Sequence, residues 1–218
     1  MSRPTALSGL AGIVLLDVGW FWDPAAPFGS DAHIAAWYAS HGDAAWLAAA
    51  AVTVLAAPFL WIFANCVRDR LAAGGASRSL RLVASGAGKA FALTVLVFGL
   101  LYAAIPLSRT FTVVGAPGGA VSRFWDGAVF GEYIVAATLS VLVLVGAVSV
   151  AAFRRQGIPL GLGIAGVPLA VLVLATFFLP MAGITLWFLA ASITLAASRP
   201  RSVERATAVQ PAPAQAAL

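Results

Sequence analysis

At 218 residues the chain has room for one or two domains, but 61% of its residues are hydrophobic, only 10% are charged and the mean hydropathy is +0.96. A soluble domain carries about 25% charged residues because its surface faces water, so most of this surface has to face lipid instead. The net charge of +5 and pI near 10.4 would point to nucleic acid in a soluble protein; in a membrane protein they mark the face where positive residues are retained, which leaves lipids rather than nucleic acid as the expected partners.

A helix crossing the hydrocarbon core needs about 20 mostly apolar residues. On that criterion six spans are predicted, over residues 5–22, 44–67, 82–107, 128–153, 158–179 and 181–197. The first contains Asp17 and ends in Trp20, Phe21 and Trp22, an aromatic cluster suited to a membrane interface. Arg3 and the apolar run Ala6–Leu16 also resemble a signal peptide, but the bulky aromatics that follow disfavour cleavage, and a retained helix is expected.

A short helix over 30–42 comes next, capped by Ser30 or Asp31, with Ile34, Trp37, Tyr38 and His41 on one face. It is expected to lie in the outer headgroup region with that face down. Arg68-Asp69-Arg70 stops the second span, and Gly74, Gly75 and Ser77 form a loop into the third. A Gly/Pro loop around Gly115 and Pro117, then Arg123-Phe124-Trp125-Asp126, separates the third span from the fourth, which stops at Arg154-Arg155. Little more than Pro180 divides the fifth span from the sixth, so these two should form a tight hairpin. Residues 199–218 are rich in Ala, Pro and Gln without an apolar period and read as a disordered tail.

Placing both termini inside puts ten arginines on one side and leaves Arg109 and Arg123 outside. The expected fold is therefore all-α, a single six-span bundle over 1–198 with an outer interfacial helix, in a bacterial plasma membrane with both ends cytoplasmic. Use of twelve Arg against the single Lys89, with abundant Ala, Gly and Val, points to a GC-rich bacterial genome. Small residues that let backbones approach in lipid are Gly9 and Gly12, Ser85, Gly86 and Gly88, and Gly161, Gly163 and Gly166. Ser85-Gly86-Ala87-Gly88-Lys89 superficially ends like a phosphate-binding loop, but Val83 stands where the first Gly belongs and Ala90 follows the lysine.

Ionisable groups inside a span are costly and mark candidate sites. Asp17, Lys89 and Glu132 qualify. Lys89 can reach back to the inner headgroups along its own stem; beyond that its role is open. Asp17 and Glu132 both fall in the outer third of the bilayer, where Arg109, Arg123, Tyr133, Tyr102 and His41 could join them. Three readings stay open: a structural cluster of carboxylates and arginine, a polar vestibule for a small ligand or ion, and a proton-coupled site. No cofactor or metal is expected, since Cys66 is alone and His33 and His41 lie about 12 Å apart along a helix. No catalytic residue is expected, because no histidine stands at membrane depth to activate a hydroxyl.

The stretch 32–71 resembles a group of uncharacterised actinobacterial polytopic membrane proteins, through Ile34, Trp37, Tyr38, His41, Trp61, Phe63, Arg68 and Arg70. The resemblance implies a six-helix integral membrane protein and carries no site residues with it. The expected function is a non-enzymatic structural, accessory or small-ligand-binding membrane protein, the ligand or a partner membrane protein unspecified. The alternative is a small secondary transporter, solute- or proton-coupled, using Asp17 and Glu132.

Overall fold

The computed structural model describes residues 3–22, 30–40, 43–111, 119–175 and 180–198, and among them every regular element is a helix. In chain order these are α1 (Arg3–Phe21), α2 (Asp31–Ser40), α3 (Asp43–Ala73), α4 (Arg78–Phe111), α5 (Gly119–Phe153), α6 (Leu160–Ala175) and α7 (Pro180–Ala197). Long Ala, Leu and Val runs adopt helix because it satisfies every backbone group within the segment, the condition that lipid imposes.

Local signals place the ends. Ser30 caps α2 and Ser77 caps α4, each hydroxyl accepting from the backbone N–H three residues on. At the end of α3 the Ala76 N–H donates to Leu71 O and the Gly75 N–H to Ala72 O, with Gly75 at φ 75°. This is a Schellman turn, and glycine suits its left-handed position. α5 ends the same way through Gln156 and Arg155, but there Arg155 itself takes φ 57°.

α1, α3, α4, α5, α6 and α7 pack in that order, and α7 closes back on α1, so six helices form a ring. One end of it gathers Arg3, Arg68, Arg70, Arg78, Arg81, Arg154 and Arg155; it is called the basic end below, and the opposite one the far end. α3, α4 and α5 have 31, 34 and 35 residues, against 19, 16 and 18 for α1, α6 and α7.

Among the described residues, four helices are long and apolar enough to cross a membrane: α1, α3, α4 and the Gly127–Phe153 part of α5. Leu160–Leu174 and Met181–Ala197 are apolar but shorter. Leu55, Ile62, Leu82, Leu139, Ile164 and Ile193 all point outward and are exposed. An exterior of this kind, combined with helices of this kind, is compatible with an integral membrane protein.

α5 begins at Gly119, so the Arg123–Asp126 segment is helical, and Gly127–Phe153 is its part long and apolar enough to cross a membrane. One expectation needs correction. α2 does not leave its apolar face to lipid: Ile34 is 1% exposed, Trp37 packs on Trp46 of α3 at 6.2 Å, and the helix rests against α5. Aromatic rings fill the ring of helices. In the far half Trp20 meets Phe98, Phe130 and Tyr133 at 5.6–6.1 Å, and Phe98 stacks on Tyr133 at 4.3 Å. In the basic half Phe63, Phe91, Trp187 and Phe188 form a second layer.

Candidate functional site

Asp17 projects from the flank of α1 towards α7, about 21 Å along the helix from Arg3. It is half-buried, and the Thr185 hydroxyl donates to its carboxylate, at 2.9 Å from Oδ1 and 3.1 Å from Oδ2. Thr185 lies about 20 Å from Ser198 on the descending helix, so the two groups meet at one level. Tyr133 enters the same region from α5, where its hydroxyl donates to Met181 Sδ at 3.5 Å. The residue is 2% exposed, with its ring stacked on Phe98.

Glu132 is next to Tyr133 in sequence but points the other way. It is exposed on the outside of the ring, in a groove between α4 and α5. Asp17 and Glu132 therefore face different surroundings: Asp17 turns to Thr185 of α7, whereas Glu132 lines the groove between α4 and α5.

Arg109 joins neither. It pairs with Asp43 at 3.2 Å beyond the far end of the aromatic layer, tying the last turn of α4 to the first of α3. Arg123 pairs with Asp31 at 2.7 Å and holds α2 to α5. Tyr102 belongs to the aromatic layer, 5.3 Å from Trp46. Lys89 sits over the Trp61 ring at 4.9 Å on the outer surface of α3 and α4, a cation–π contact. His41 lies outside the described residues, as does the tail over 199–218. Among the described residues no three His, Cys, Asp or Glu side chains gather as metal ligands would.

Sequence reasoning gave Arg70 only a stop signal. In the structure it is 4% exposed and works as a clasp: Nε donates to Gly157 O at 3.2 Å, and Nη2 to Ser198 O at 2.6 Å and to Ser198 Oγ. One guanidinium thus joins the end of α3, the turn after α5 and the end of α7, where a cation also meets the negative end of the α7 dipole. Gly74 and Gly157 permit it, because a Cβ on Gly74 would run into the backbone of Gln156 and Gly157. The partner of Asp17 was missed as well, although counting residues from the arginine-rich ends places Thr185 level with it.

No protein-family model, curated protein or solved structure matches the chain.

Proposed function

We propose that the chain is a six-span integral protein of a bacterial plasma membrane, with α1, α3, α4, α5, α6 and α7 crossing the bilayer and the basic end in the cytosol. Its work is that of a non-enzymatic accessory or small-ligand-binding component acting from its outer half, and kinship with the actinobacterial membrane proteins it resembles belongs to the same proposal. The arginine distribution supports the orientation, with seven at the basic end among the described residues, three more following α7 in the sequence, and Arg109 and Arg123 opposite.

One observation carries the preference for binding over transport. Two layers of packed aromatic rings lie within the ring of helices, and Asp17, on the flank of α1, is already engaged by Thr185. A solute path through the centre would need those rings to separate, whereas Glu132 faces outward, open to a ligand arriving from the membrane.

Two measurements test this. Reporter fusions after Gln156 should read cytosolic, and fusions after Ala120 should read external; the reverse would overturn the orientation. Proteoliposomes holding the purified chain should show no solute-driven or pH-driven flux. A flux abolished by Asp17→Asn in a folded protein would replace this reading with that of a transporter.

A further inference from the structure

Among the described side chains, the other carboxylates near the far end are engaged: Asp17 with Thr185, Asp43 with Arg109, and Asp31 with Arg123. Glu132 has no hydrogen bond or ion pair among the described residues. It stands in a groove of about 180 Å³ whose walls are mainly apolar, with Leu93, Thr94, Val97 and Leu101 from α4 and Val129 from α5, and with the stacked Phe98 and Tyr133 also lining it. Neighbouring Thr94 has its hydroxyl donated to Ala90 O within its own helix.

Level and size narrow the occupant. Glu132 is about 31 Å along α5 from Phe153, which stands beside the paired arginines of the basic end. A hydrocarbon core is about 30 Å thick, so in the orientation proposed above the carboxylate lies where outer-leaflet headgroups meet their chains. The groove runs inward from there, past Val97 to Leu93. With about 180 Å³ of free space and one side open to the surroundings, it has room for the upper part of one acyl chain.

From this juxtaposition we infer that the α4/α5 groove is a lipid site for an outer-leaflet phospholipid with a primary ammonium headgroup, phosphatidylethanolamine in type. The ammonium donates N–H bonds to Glu132, and one acyl chain lies along Val97 and Leu93. A carboxylate at a dehydrated surface selects for a compact cation with N–H donors. Choline carries the charge without donors, and a glycerol headgroup lacks the cation. The inference names the ligand class for the binding role proposed above and depends on that orientation only for the leaflet.

The full chain purified in detergent, offered phosphatidylethanolamine, phosphatidylcholine and phosphatidylglycerol with identical acyl chains, tests it by native mass spectrometry and by the melting temperature. Phosphatidylethanolamine should be retained preferentially and raise the melting temperature most. Glu132→Gln, on an exposed position, should fold and lose about tenfold of that preference, as expected for removal of a charge-assisted bond. Val97→Trp should block the chain groove and reduce retention with Glu132 intact. Equal retention of the three lipids, or an unchanged preference in Glu132→Gln, overturns the inference. Because the measurement is made in detergent, an inverted topology in the fusion experiment would move the site to the other leaflet without affecting this result.

Discussion

At the scale of single residues, the interior polar contacts are few and each is exposed to a large loss. Thr185→Val leaves the half-buried Asp17 carboxylate without its donor and should cost about 1–3 kcal/mol, read as a lower melting temperature in detergent. Asp17→Asn, which can still accept from Thr185, should cost less. Arg70→Met removes the charged donors from Ser198 and Gly157 and should cost about 2–3 kcal/mol. Arg70→Lys should recover only part of it, since one ammonium does not span both acceptors as the guanidinium fork does; full recovery would show that charge alone matters there. Asp17 was legible as an ionisable group inside an apolar run. The direction of Glu132 was not, because α5 carries Ala, Val and Leu around its whole circumference and its sequence distinguishes no lipid side from a core side. That is why two carboxylates expected at one site turn to different neighbours, Asp17 to Thr185 and Glu132 to the α4/α5 groove.

At the scale of helices, close approach depends on which small residues are in contact, and sequence shows only that they are present. Gly9, Gly12, Gly88, Gly163 and Gly166 face neighbouring helices as expected, whereas Gly86 and Gly161 have nothing within 4 Å of where a Cβ would stand. Gly99 was overlooked, yet a Cβ there would sit 2.8 Å from Val54 Cγ2 and 3.3 Å from Ala50 O. Two substitutions on α4 separate packing from propensity. Gly86→Ala should stabilise by up to about 1 kcal/mol through helix propensity. Gly99→Ala should lower the melting temperature, since α3 must shift to admit the methyl group. Equal gains in both variants would mean that α3 and α4 do not touch as described. Helix existence was legible from apolar runs, but helix length was not. Hydropathy marks where a helix is surrounded by hydrocarbon, and α5 continues past that limit through Arg123 and Phe124 to Gly119 with no breaker to stop it.

At the scale of the molecule, the closed ring and its aromatic filling could not be foreseen from spans and arginines, because no single segment encodes which helices become neighbours. The closing of that ring has a consequence of its own. α7 packs on α1, so α1 keeps one flank uncovered until α7 has been made. A chain truncated after Phe153 would keep the α1–α3–α4–α5 arc with that flank open, and should be recovered in lower yield than the whole chain.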